Sequence, residues 1–200
     1  MKSSLTVFLI TVFLIFNSQF IQAQKGERNY EFTPEKSTIT WVGKKGDEKY
    51  SGKLKLKSGY LTLNNEELTQ VVVFANVQSI NCKTCGDAES ARKLLEFMRS
   101  AEFLNVQTMD FAVFKMYKSS KIENAEDGNY RVDGILTIIG YSNEISIPVT
   151  IIEKKKKVYV EGRLSMNRAL WNLNNPKDSE VTEHIDLTIE LFLKLEGEIK

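Results

Sequence analysis

The sequence predicts an all-β chain, an antiparallel barrel of eight strands with one flanking α-helix. Three observations carry that expectation. Apolar residues recur at every second position through most of the chain, which is the period of a half-buried strand. Short turn signals separate these stretches, so successive strands join as an antiparallel meander. Closing such a meander on itself removes its two edges, and a ring of about eight strands has room for packed side chains or one small ligand.

In chain order, Met1 to Ala23 stands apart from the fold. Lys2 is followed by an apolar run from Leu5 to Phe16, broken only by Thr6 and Thr11, then by polar Asn17, Ser18 and Gln19 and small Ala23. That layout is a secretory signal peptide, and the run is too short for a spanning helix of about 20 residues. The expected domains are therefore a signal peptide at 1–23 and one barrel domain at 24–200, periplasmic or secreted. The removed part carries Lys2 and no acid, which leaves the rest formally neutral. The first cysteine is Cys82, so no lipobox follows the apolar run.

Strands are expected from Ser37 to Val42, then at Lys53-Leu54-Lys55-Leu56-Lys57, where leucines and lysines take opposite faces. Gly59 permits a bend, and Tyr60 to Leu63 resumes the pattern. Asn64-Asn65 turns the chain into Glu67 to Ile80. The one helix runs from Ala88 to Ser100, with Ala91, Leu94, Leu95 and Met98 forming an apolar stripe, Asp87 placed to cap it, and Glu89 four residues before Lys93. Met109 to Tyr117 and Tyr130 to Ile139 follow, divided by Asp127-Gly128-Asn129. Ile145, Ile147, Val149 and Ile151 share one face, Lys154 to Lys157 form a solvated turn, and Val158, Val160, Leu164 and Met166 share the next face. The last strand alternates most regularly, with Ile185, Leu187, Ile189, Leu191, Leu193 and Leu195 facing one way.

Composition narrows the chemistry. With 42% hydrophobic and 26% charged residues and only 3 prolines, the chain can build a core. Lys plus Arg (27) against Asp plus Glu (26) gives a formal charge of +1, so no global field selects nucleic acid or an anionic membrane. One histidine and two cysteines exclude His-rich metal sites and a disulfide framework, and they exclude Ser-His-Asp catalysis unless His184 is the base. His184 opens the last strand, where a polar surface role is the simpler reading. No cofactor is called for, and nothing in the pattern excludes a homodimer.

Aromatic residues concentrate in the middle third: Phe97, Phe103, Phe111 and Phe114, with Phe74, Trp41 and Trp171 on flanking elements. Each alone reads as a packing residue. As a set they suggest an apolar small-molecule cavity with few polar groups. Phe111 and Phe114 fall on opposite faces of one strand, so only one can point inward. Arg168 follows a strand end and meets either an anionic head group at the cavity mouth or an ordinary ion-pair partner.

Several stretches, in this order, resemble the YceI-like family of bacterial periplasmic proteins. They are Ser37-Thr38-Ile39-Thr40-Trp41-Val42-Gly43-Lys44-Lys45, Gly52 to Gly59, Ser79-Ile80, Arg99-Ser100-Ala101-Glu102-Phe103-Leu104-Asn105-Val106, Asp133 to Gly140 with Ile147-Pro148-Val149, Met166-Asn167-Arg168-Ala169-Leu170-Trp171, and the final alternating strand. The resemblance implies an extended lipocalin-like barrel whose elongated apolar cavity holds a polyisoprenoid or similar long-chain lipid, with no catalytic motif. On that reading Trp41, Phe74, Phe103, Phe111, Phe114, Arg168 and Trp171 are the ligand-binding candidates. The chain departs from the family pattern at Tyr50, where a histidine is common, at Met109-Asp110, where a proline is usual, and at Cys82-Lys83-Thr84-Cys85.

That cysteine pair precedes the helix, whose dipole favours a thiolate, and an exported compartment permits a disulfide. It admits a local disulfide or idle thiols, a redox site, or a metal or partner contact with Asp87 as a third ligand. No thioredoxin-like βαβ pattern surrounds it, and Gly86 in place of histidine excludes haem attachment. Two functions follow as expectations: a non-enzymatic lipid carrier or sequestering protein with no stable membrane insertion, and a thiol-disulfide active envelope protein.

Overall fold

The computed structural model describes residues 26–123, 128–173 and 188–200. The segment read as a signal peptide, Asp127 of one turn signal, His184, and Ile185 and Leu187 of the last strand lie outside the described residues. The elements in order are β1 (Glu27–Phe32), β2 (Thr38–Lys45), β3 (Glu48–Asn64), β4 (Glu67–Asn76), α1 (Ala88–Arg99), β5 (Phe111–Lys121), β6 (Tyr130–Ile138), β7 (Tyr141–Lys154), β8 (Lys157–Asn167) and β9 (Thr188–Ile199). All strand pairs are antiparallel, in the order β1-β3-β2-β9-β8-β7-β6-β5-β4, and the ring closes where β4 pairs with β3.

Nine strands fill eight places around the barrel. β1 pairs with the second half of β3 and the end of β9, while β2 pairs with the first half of β3 and with Glu190 to Lys194 of β9. The two are consecutive in sequence and share one place, separated by a 3-10 turn at Pro34–Lys36. β1 is an addition to the expected strands. Its inward positions are Arg28, Tyr30 and Phe32, and an arginine in the first of them breaks the hydrophobic alternation that would have announced it.

Gly59 does not end a strand, because β3 runs through it for 17 residues. A bulge between Leu56 and Ser58 in the pairing with β4 shifts the parity by one. Leu54 and Leu56 therefore share the inner face with Leu61 and Leu63, and Tyr60 turns outward. β4 stops earlier than expected, at Asn76, where a 3-10 turn over Val77–Ser79 lifts the chain off the sheet toward α1. β5 begins later, since Met109 still donates its N–H to the Asn105 carbonyl at 2.9 Å, and continues to Lys121 past a bulge between Met116 and Lys118.

α1 starts where Asp87 accepts the Ser90 N–H at 2.8 Å, which satisfies one of the donors a helix start leaves unpaired. Its exposed face carries the i,i+4 pairs Glu89–Lys93 and Arg92–Glu96, and Leu94 and Met98 are buried on the other. The helix covers one end of the barrel. Residues before Lys55 in β3 have β2 on one side and no strand on the other, and the segment leading to α1 occupies that edge.

Candidate functional site

The inward side chains do not fill the barrel. A central cavity of about 140 Å³ lies between them. Every strand except β1 contributes to its wall, through residues such as Ile39, Leu54, Val73, Leu136, Ile147, Leu164 and Leu191, and α1 adds Met98. No lining residue is charged. Two smaller spaces of about 40 Å³ each adjoin it. The one toward α1 is bounded by Trp41, Tyr50, Leu94, Phe97, Phe103 and Arg168. The one toward the opposite end is bounded by Leu61, Val71, Val132, Ile151, Val160 and Leu195. Trp41, Met98, Phe103 and Ile189 are shared with the first, and Val73, Phe114, Ile147 and Leu193 with the second, so the three spaces lie in line.

Phe114 forms the step between the central and distal spaces. A β-carbon at Gly134 on β6 would fall 2.5 Å from two of its ring carbons, so the ring rests where a glycine leaves the backbone bare. Beyond the distal space the barrel closes on hydrogen bonds. Arg28 grips the Glu153 carboxylate through Nε at 2.7 Å and Nη2 at 3.1 Å. The Tyr30 hydroxyl donates to the same carboxylate, and the Tyr130 hydroxyl donates to the Glu66 carbonyl at 2.7 Å. Burial first, and the carboxylate second, hold the Tyr30 hydroxyl above its ordinary ionisation range. Only an alternation tolerant of charge at inward positions 28 and 153 would have found this plug in the sequence.

Arg168 is the polar group of the α1 end. It sits on a 3-10 turn, Arg168–Trp171, which Asn167 caps by accepting the Ala169 N–H at 3.1 Å. At 1% exposure its guanidinium lies 5.8 Å from the Phe103 ring centroid and donates to the Leu173 carbonyl, and burial holds its pKa below the usual arginine value. Arg168 is thus buried and not on the surface. Tyr50, nearby, donates to Glu48, and that hydrogen bond raises its pKa.

The structure brings Trp41, Phe103 and Phe114 together on the central cavity and sets Arg168 beside the first two. Trp41 is held by its indole N–H, which donates at 3.0 Å to the Asn81 carbonyl. Trp171 is buried, with its indole donating to the Leu136 carbonyl at 2.8 Å, but it borders none of the three spaces. Phe74 and Phe111 correct the expected lining: both stand on the outer face, edge to face with centroids 5.4 Å apart. The reason is parity, since Val73, Ala75, Ala112 and Phe114 take the inward positions of β4 and β5.

Cys82 and Cys85 are joined in a disulfide with Cα atoms 6.0 Å apart. Their loop lies along the open edge of β3, with Ser51 donating to the Thr84 carbonyl at 3.0 Å and accepting from the Lys83 N–H at 2.7 Å. A β-carbon at Gly52 would meet the Asn81 carbonyl at 1.8 Å, so this close approach requires glycine. Cys85 is 3% exposed. Among the described residues no group of three or more His, Cys, Asp or Glu could hold a metal ion.

Residues 30–193 match the model of the YceI-like domain family. Among solved structures, the chain is similar to BcnA of Burkholderia cenocepacia (TM-score 0.63, 19% identity, covering 82% of this chain and 98% of that one). It is also similar to a polyisoprenoid binding domain from Saccharophagus degradans implicated in plant cell wall breakdown (0.59, 15%, 86% and 98%), and to the Campylobacter jejuni YceI protein (0.52, 21%, 67% and 74%). At these identities the likeness speaks for the fold. No curated protein matches the chain.

Proposed function

Because the chain belongs to the YceI-like domain family, we propose that its barrel binds a long-chain lipid, a polyisoprenoid or a similar amphiphile, and serves as an exported, non-enzymatic carrier or sequestering protein. The observation that carries this reading is the line of three spaces walled by apolar side chains, with the buried Arg168 at one end. The likeness to the polyisoprenoid binding domain from Saccharophagus degradans supports the ligand class. Burial of roughly 500 Å² of hydrocarbon contributes about 12 kcal/mol at ~25 cal/mol per Å². That offsets an association cost of about 4–15 kcal/mol, so binding demands several isoprene units and little polar contact. Threading them means turning Trp41, Phe103 and Phe114 aside. Arg168, at the α1 end, is the proposed contact for an acidic or phosphorylated head group. Export rests on the signal-like layout of Met1 to Ala23.

The thiol-disulfide alternative has less support, since Cys85 is buried and the loop is fastened to Ser51. Mass spectrometry of lipid extracted from gently purified protein tests the leading reading. A co-purifying long-chain lipid is the expected result, and protein that is empty and takes up no isoprenoid when supplied with it overturns the proposal.

A further inference from the structure

A formal charge near zero conceals one lopsided face. Register puts Tyr60, Val72, Lys115 and Ile135 in one outward row across β3 to β6, and the Phe74–Phe111 pair lies beside it. With strands about 4.8 Å apart, that row crosses roughly 15 Å. Tyr60, Phe111 and Ile135 are 40%, 39% and 42% exposed. Lys55 flanks the face directly, two places along the Lys55–Asn76–Phe111 row.

Charge on this face is one-sided toward β3. Lys57 lies 4.9 Å over the Phe111 ring and is matched by Asp110. Lys53, Lys55 and Lys115 make no ion pair among the described residues. Asp133 and Glu144 mark the far border, paired in register with Lys118 and Ile135. Exposed rings among unpaired lysines are what an interfacial layer of anionic lipid attracts, since the rings sit at head-group depth and each cation gains from the surface potential. No helix among the described residues is long and apolar enough to cross a membrane. The face also borders the stretch of wall where β3 lacks a strand neighbour and the segment leading to α1 takes its place.

We infer that this outer face of β3, β4 and β5 docks on an anionic bilayer surface, with Lys55 and Lys115 against lipid head groups and Tyr60 and Phe111 entering the interfacial layer. The inference rests on the cargo reading for its purpose, because a carrier must meet the membrane it exchanges with, but not for its geometry.

Co-sedimentation tests it, using vesicles of phosphatidylcholine alone and with one-third phosphatidylglycerol, and variants that share one N-terminus. The protein should bind the mixed vesicles and lose them as salt rises. Lys55→Glu with Lys115→Glu should lower binding about twenty-fold or more, near five-fold for each lysine lost. Tyr60→Ser with Phe111→Ser should lower it without any change of charge. Lys154→Glu with Lys155→Glu, an equal charge change at the β7–β8 turn, should leave it near wild type. Indifference of the wild type to phosphatidylglycerol overturns the inference, as does an equal loss in the turn variant. A dimer that the Lys55/Lys115 variant dissociates also overturns it, because the face would then serve a second copy. Lipid content measured on the same samples separates the two readings: docking without cargo sinks the carrier and keeps the surface, while cargo without docking does the reverse.

Discussion

The two ends of the barrel close by different physics. At the end away from α1, closure belongs to the strands themselves: Arg28, Tyr30 and Glu153 come from ladder positions of β1 and β7, and their hydrogen bonds cross the lumen. At the other end, closure is a cover laid over a finished ring. α1 is capped by one aspartate, pinned by a short loop against β3, and seated by Leu94 and Met98. Removing the first closure means breaking a charged network between strands, whereas removing the second means lifting one short helix off apolar side chains and parting a few uncharged-acceptor hydrogen bonds, such as that of Arg99 to the Ile80 carbonyl. Local opening favours the element with fewer ties, so under the proposed carrier reading exchange is expected at the α1 end.

Five variants can break or sharpen that contrast. Phe114→Asp sets a charge on the step between the central and distal spaces, and it should cost about 4 kcal/mol or more and abolish lipid retention. Circular dichroism with lipid extraction checks this, and folded protein with unchanged lipid would mean that Phe114 is core alone. Glu153→Ala strips Arg28 and Tyr30 of their shared acceptor at the plugged end. The pair is partly solvated, at 15% and 26% side-chain exposure, so the loss should be about 2 kcal/mol rather than the larger cost of a fully buried pair. Cargo should remain, as urea midpoints beside lipid content would show.

The same end gives a pH signature. Tyr30 has a folded pKa raised above the ordinary value near 10. Its contribution is complete below pH 10, where the unfolded chain also keeps the proton, and falls away as pH climbs through the raised folded value. Tyr30→Phe should flatten the decline in stability measured above pH 10. Cys82→Ser with Cys85→Ser should cost no more than about 1–2 kcal/mol, since the closed loop is very short, and an insulin-reduction assay should read background for wild type and variant alike. Smallest in stability is Asp87→Ala, at about 1 kcal/mol from the lost cap. Its sharper readout is kinetic: transfer of cargo to acceptor vesicles should quicken by about five-fold, and an unchanged rate would remove α1 from the exchange path.

Much of the barrel was legible because strands of period two advertise themselves wherever their inward residues are aliphatic. Ile145 to Ile151 of β7, β8 apart from Gly162, and Ile189 to Leu195 of β9 keep aliphatic residues at the inward positions, and the α1 stripe and its Asp87 cap read equally well. β1 escaped because Arg28 occupies an inward position, and the meaning of Gly59 escaped because a bulge changes parity without leaving a mark on composition. Within the site, Trp41, Phe103 and Phe114 were legible as bulk. The outward turn of Phe74 depends on the register of β4, the glycine beneath Phe114 lies on the neighbouring strand, and Arg28 meets Glu153 from more than a hundred residues away, none of which a local pattern records.

The ring of Phe114 lying on Gly134 turns the lumen into a ruler. On the proposed reading a hydrocarbon tail entering past α1 passes Trp41 and Phe103 and then meets that ring, and on the far side only the small distal space remains before the plug. Whether a tail is accepted in full is then decided by one aromatic rotamer and by the bare strand that lets the ring lie flat. A methyl group at 134 would push the ring off its bed, since two of its carbons stand 2.5 Å from where that methyl must go. If the barrel binds a lipid as proposed, selection by chain length would reside deep in the barrel, on a residue pair away from the α1 end.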